Sequence, residues 1–407
     1  MTLTRLIVFF DVHAQKLTWI LASLTVVAGG FYSLWLGERL RYIDERDYFT
    51  LAENLLQFRA YSSDGINPSA FRPPGYPMLL AAMRLLGAPI FMLRMLNFVA
   101  LAAIVVLLQR WTVRLFQHRG ISVVAAGLPL CYPVLFYTAG ALYPQIIAAF
   151  LLLVLVERLS RVSIAIRFAH IVQIGLISSL LLLMIPAVSF VLPVLAIWLG
   201  FQRHRKEAVL LCMVGFLLPA AWSIRNRVVF GEWVYISANS GFNLYLGNSA
   251  DTTPNSGTNV ARGSLDAETI ALNDVQRDHA FRDAGLDWIR NNPQRAAVLY
   301  TQKILNYFNF RNELATQSES SSTNDILMFA TYYPLLALVL ARLVLARRSP
   351  LTTTEWVIII IYLLNALTTA IFFTRIRFRL PFDMLLFVMV AGLLAAAQKK
   401  SQVSSGL

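Results

Sequence analysis

The sequence predicts an all-α polytopic membrane protein, and three observations carry that prediction. Of 407 residues, 57% are hydrophobic and only 14% charged; the mean hydropathy is +0.60; and apolar runs recur along the whole chain. Soluble domains carry roughly a quarter charged residues, so a deficit of this size points to lipid-facing surface. The formal charge of +13 would suit nucleic acid if it lay on one soluble face. Here Lys and Arg fall in short clusters between apolar runs, which is a signal of membrane topology and not of a nucleic-acid partner.

A span needs roughly 20 apolar residues at a rise of 1.5 Å each. That template fits about ten times, over 17–36, 89–109, 121–138, 143–159, 168–185, 187–201, 207–224, 323–345, 355–373 and 380–397. The first run is long and lacks a small-residue cleavage site after it, so it reads as a span and not as a cleaved signal peptide. Basic clusters occur at Arg5 and Lys16, at Arg110, Arg114 and Arg119, at Arg158, Arg161 and Arg167, in "RHRK" at 203–206, at Arg347 and Arg348, and at Lys399 and Lys400. With ten spans all of them fall on one side, the cytoplasmic one, together with both termini.

Two segments on the other side, 37–88 and 225–322, are too long to be turns, and function is expected there. In the first, "FTLAENLLQF" places Phe49, Leu51, Ala52, Leu55 and Leu56 near helical spacing, which suggests a short interfacial helix. In the second, the polar stretch "NSADTTPNSGTNVARGS" precedes helical patterns near 266–291 and 293–309. Cys131 and Cys212 sit in apolar runs and read as inert packing residues. No internal repeat is visible.

Chemistry is concentrated just after the first span. "YIDERDYFTLAENLL" carries Asp44, Glu45 and Asp47, where a carboxylate would face both lipid headgroups and a water-borne acceptor. Charge pattern alone supports a solvated loop equally well. The next motif, "SAFRPPGYPMLL" at 69–80, fixes a stiff Pro/Gly turn around one cation, Arg72. A fixed guanidinium can grip a phosphate with two parallel hydrogen bonds. Together, a carboxylate that takes a proton from an acceptor hydroxyl and a cation that holds a departing phosphate are the parts needed to move a sugar off a lipid phosphate.

This combination resembles the membrane glycosyltransferases of the GT-C class, especially glycosyltransferase family 39 relatives and the lipid A aminoarabinose transferases. The "DE" before "RDYFTLAENLL" looks like the first-loop motif of that family, which implies Asp44 as general base with Glu45 beside it. "FRPPGYP" is similar to the phosphate-contacting turn and implies that role for Arg72. "LPAAWSIRNRVVFGEWVYISANSGFNLYLGNSA" (218–250) resembles a span-to-loop junction of bacterial family 39 proteins, and "RIRFRLPF" (375–382) resembles the last external loop.

The resemblance implies a single GT-C transmembrane domain over residues 1–407 in a bacterial inner membrane. It also implies inverting transfer of one monosaccharide from a polyprenyl-phosphate donor, such as undecaprenyl phosphate, to a lipid, polysaccharide or protein acceptor on the extracytoplasmic face. One departure stands out. Many relatives carry a second acid at the outer end of the fourth span, whereas here "GALYPQII" presents Tyr143 and Gln145. The base role therefore rests on the first loop, with Asp47 in reserve.

Remaining candidates follow from position. Arg225 begins the large loop directly after a span and could hold the donor phosphate or anchor the helix end among headgroups. Arg375, Arg377 and Arg379 lie on the outer side against the positive-inside trend, and an anionic lipid donor would account for at least one of them; Arg375 and Arg379 are carried as donor ligands. Arg84 and Arg94 flank the start of the second span and read as interfacial. Tyr76, Tyr143, Gln145, Asn243, Tyr245 and Asn248 are candidate substrate contacts, the last three also suiting a Gly-flanked turn. His279, without nearby ligand spacing, reads as a surface residue, and a divalent metal is left open. The alternative function is a transporter or flippase of a glycolipid or anionic solute. It would be expected to show inverted repeats and broken spans around a midplane site, whereas the charges here gather at the outer interface.

Overall fold

The computed structural model describes residues 3–161, 167–311 and 322–404. Within them the chain is helical, with one isolated bridge between Ser62 and Pro68. Residues 312–321, at the end of the large loop expected over 225–322, lie outside the described residues, as do the side chains of Arg5, Lys399 and Lys400.

Helix α1 (Leu3–Leu36) is followed by two short helices, α2 (Ile43–Gln57) and α3 (Gly75–Leu85), and then by the long apolar α4 (Ile90–Phe116). Next come α5 (Arg119–Gly127) and α6 (Pro133–Ala139), bent by 60° at Pro133, where the ring cannot continue the preceding helix. Three compact apolar helices follow: α7 (Gln145–Ser160), α8 (Phe168–Met184) and α9 (Val191–Phe201). After them α10 (Arg205–Gly215) and α11 (Leu217–Phe230) run on as one stretch. The second large insertion holds α12 (Ser240–Gly247), α13 (Leu265–Thr269), α14 (Asp274–Asn291) and α15 (Pro293–Tyr307), before three closing helices, α16 (Ser322–Leu345), α17 (Thr353–Ile371) and α18 (Ile376–Ser404).

Among the described residues six stretches are long and apolar enough to cross a membrane, or seven if the bent α5–α6 pair counts as one. The protein is a multi-pass membrane protein. Each of the ten apolar runs expected as a span is helical, but the runs at 143–159, 168–185 and 187–201 form helices of 16, 17 and 11 residues. Those fall short of the roughly 20 residues a straight span needs.

Charged contacts divide the molecule into two ends. At one end Glu157, 1% exposed, takes Arg161 at 2.6 Å and also Arg114, and Arg342 pairs with Glu355 at 2.6 Å where α16 turns into α17. At the other end the 37–88 segment, the α12–α15 insertion and the start of α18 come together. Local rules fix this end. Glu45, third in α2, accepts from the Tyr42 N–H and closes the helix start. Asn273 caps α14 by accepting from the N–H groups of Val275 and Gln276. Two glycines of "GFNLYLGN" are there for close approach: a Cβ at Gly241 would lie 2.0 Å from the Asp278 carbonyl, and one at Gly247 1.8 Å from that of Phe372.

Candidate functional site

The second residue of α2 sits between two cations. Asp44 Oδ1 accepts from Arg72 Nη2 at 2.5 Å, and its Oδ2 accepts from Arg377 Nη1, contributed by the first turn of α18, 333 residues away. Arg72 also donates to Asp47 Oδ2 from Nη2 at 2.6 Å and from Nε at 3.2 Å. The four charges sum to zero. Asp44 and Asp47 stand three apart on one face of α2, which is why one guanidinium reaches both.

The cations are held by aromatic faces as well. Arg72 lies 5.4 Å from the Tyr48 ring centroid and 5.0 Å from that of Phe71, and Arg377 lies 5.5 Å from that of Tyr143. Burial alone would raise the Asp44 carboxyl, but Arg377 and Arg72 beside it outweigh burial and hold it well below the usual carboxylate range. Burial raises the Tyr48 hydroxyl, so that ring stays neutral beneath Arg72.

Two cavities meet at this cluster. One, of about 670 Å³, is an apolar groove between α1, the bent α5–α6 segment and α16, and it ends at Arg375 and Arg377. The other, also about 670 Å³, opens over Asp44 and Arg72; its wall is mainly apolar, with polar side chains set into it, among them Gln145, Asn243, Asn365 and Thr368. Tyr143 and Arg377 line both. A ligand with an apolar tail and an anionic head would fit with its head at Arg377, beside Asp44.

Asp44, Asp47, Arg72, Tyr143, Gln145 and Asn243 all reach this region. The Oε1 of Gln145, which lines the second cavity, is buried and has no hydrogen-bond partner among the described residues. Arg375 lines the groove and donates to Thr258 Oγ1 at 2.9 Å.

Other candidates have structural work elsewhere. Glu45 is fully buried and accepts from Arg41 N (2.7 Å), Tyr42 N (3.1 Å) and Leu142 N (2.8 Å), tying the first loop to the 140–143 turn. Arg225 donates to the Ser69 carbonyl and lies over the Tyr61, Trp222 and Phe230 rings. Arg379 is buried against Asp383. Tyr76 packs edge-on beneath Tyr48, and Tyr245 edge-on against Phe281. Asn248 bridges the Leu244 and Ile371 carbonyls. Arg94, expected at the interface, is fully buried and donates to the Gly37 and Arg39 carbonyls. His279 lies 3.4 Å from Glu232. Among the described residues no three His, Cys, Asp or Glu side chains gather as a metal site.

No protein-family model matches the chain, and no curated protein matches it in sequence. Among solved structures the chain is similar to ArnT from Cupriavidus metallidurans, in a crystal structure bound to undecaprenyl phosphate. The two are 12% identical, with 94% of this chain and 78% of that one covered, at a TM-score of 0.44.

Proposed function

We propose that this protein transfers one sugar from a polyprenyl-phosphate carrier to an acceptor hydroxyl on the extracytoplasmic face of the bacterial inner membrane, with inversion. One observation carries the reading: a carboxylate held between two guanidiniums lies where an apolar groove meets a second cavity that has amide and hydroxyl side chains in its wall. The groove suits the polyprenyl tail, and Arg72 and Arg377 suit the phosphate. The amide and hydroxyl groups of Gln145, Asn243, Asn365 and Thr368 in the second cavity suit an acceptor, be it glycan, lipid or protein.

Asp44 is a poor base while both of its oxygens are bonded to cations. An arriving phosphate shares those guanidiniums, which restores basicity to the carboxylate and aims it at the acceptor side. The acceptor oxygen then attacks the anomeric carbon as the bond from that carbon to the phosphate oxygen breaks. Its proton passes to Asp44, and the electron pair leaves with the phosphate, whose growing charge Arg72 and Arg377 take up. Single displacement of this kind inverts the anomeric centre.

The test compares envelope glycolipids, polysaccharides and surface proteins by mass spectrometry in cells lacking the gene, with wild-type complementation or with Asp44→Asn at matched protein level. The expected result is a one-sugar difference on one acceptor that wild type restores and Asp44→Asn does not. General acid–base groups contribute roughly 10²–10⁴-fold. Full restoration by Asp44→Asn would refute Asp44 as the base. Loss of a lipid-linked sugar from the outer face without any change in an acceptor would point to transport instead.

A further inference from the structure

The turn that carries Arg72 is held from outside itself. Asp274 opens α14, some 200 residues further along, and its Oδ2 accepts from Ser69 Oγ at 2.6 Å, from Ala70 N at 2.9 Å and from Phe71 N at 3.1 Å. On the carbonyl side, Arg225 Nη1 donates to Ser69 O at 3.0 Å, the Ala238 N–H donates to Ala70 O at 2.7 Å, and Tyr61 Oη donates to Arg72 O at 2.9 Å. Among the described residues Asp274 is the one carboxylate bonded to the backbone of this turn.

Beneath the turn lies a void of about 210 Å³, bordered by Asp47, Phe71, Arg72, Asp274 and Asp278. A turn released from its clamp has room there to carry the guanidinium off the Asp44 axis. Helix α14 also bears Asp278, His279 and Arg282 on the wall of the cavity over Asp44 and Arg72. The helix that shapes the acceptor side is therefore the one that grips the Arg72 turn.

We propose that Asp274 is a positioning residue for phosphate capture: by holding Ser69, Ala70 and Phe71 it fixes where Arg72 presents its guanidinium. This rests on the reading of Arg72 as a phosphate ligand. It assigns a defined role to one acid of the second large loop and joins the two loops into one device.

The test measures binding of farnesyl phosphate and of farnesol to the full chain in lipid nanodiscs, for the parent, Arg72→Ala, Asp274→Ala and Asp274→Asn. Asp274→Ala should weaken farnesyl phosphate by roughly tenfold, a loss expected for removal of charged hydrogen bonds. Farnesol, which engages the groove alone, should bind unchanged, while the melting temperature should fall, since two backbone N–H groups and the Ser69 hydroxyl lose their acceptor. Asp274→Asn keeps an acceptor oxygen and should fall between, and it decides by the same ratio if Asp274→Ala does not fold. Weakening of both ligands together would make the role merely structural and overturn the proposal. Farnesyl phosphate binding within about twofold of the parent, with Arg72→Ala impaired, would overturn the proposal while leaving the Arg72 reading in place. If Arg72→Ala also binds like the parent, that reading falls and takes this inference with it.

Discussion

Two arginines of one short motif, Arg377 and Arg379, lead opposite lives. Arg377 reaches the space where the two cavities meet and bonds an acid of the first loop. Arg379, 1% exposed, turns inward: its Nε donates to Asp383 Oδ2 at 3.3 Å, its Nη1 to the Tyr307 and Asn309 carbonyls, and its guanidinium lies 3.5 Å from the Tyr332 ring centroid. Asp383 is completed by the hydroxyls of Tyr132 and Tyr362, each at 2.9 Å. Two positions on a helix are about 200° apart, so the same residue type faces a cavity on one side and is a strut on the other. A charge whose neighbours leave a cavity beside it is available for chemistry, and one whose neighbours close around it is not.

The largest expected effect separates the two by folding. Arg379→Met strands Asp383 without its cation, and breaking a buried pair costs about 3–5 kcal/mol. It should abolish accumulation of folded protein in the membrane, whereas Arg379→Met combined with Asp383→Leu should recover much of it, because replacing both partners by apolar groups is often neutral. Size-exclusion profiles of detergent extracts read the difference. A single variant as well behaved as the double would mean that the pair is not a closed structural unit.

Next in size is Arg377→Gln, which should leave folded protein in the membrane but lower transfer by roughly 10²–10³-fold, as expected for removal of one preorganised donor to developing charge. Measured beside Arg379→Met, it tests the comparison directly. If Arg377→Gln abolished folding instead, the availability of Arg377 to a ligand would be the error.

How much of this was legible in the sequence follows from where each signal lives. Apolar runs of the right length announce helices locally, so every expected span is helical, and Asp44, Asp47 and Arg72 stood out because stiff or charged motifs are rare in such a chain. Choosing among the three arginines expected on the outer side is harder, since it depends on helix phase. One clue was present: Asp383 lies four residues after Arg379, the spacing of a helical ion pair, while the residue four after Arg377 is Pro381. That marks Arg379 as already partnered. Nothing local marks Asp274 or the inward turn of Glu45, because each acts on a backbone far away in sequence.

The smallest effect concerns another buried cation near the same motif, Lys303 of α15, which has no carboxylate partner among the described residues. Its Nζ donates to the Phe372 carbonyl at 2.7 Å, the Gly247 carbonyl at 2.9 Å and Asn248 Oδ1 at 3.4 Å, tying "LYLGN" to the lead-in of α18. Burial pushes its amine down to about 7, from an ordinary value near 10.4. Between those two pH values the unfolded chain holds a proton that the folded chain lacks, so stability from this group rises with pH across the window and is lost as pH falls toward 7. Below both values the proton is bound in either state and the slope vanishes. Lys303→Met should lower the melting temperature generally, since two carbonyls lose a donor at about 1–3 kcal/mol each, and the gap to the parent should widen from pH 7 to pH 10. Parallel melting curves would mean that the amine is charged in the fold, held by its three acceptor oxygens, and that a buried cation here is sustained without an acid, unlike Arg379.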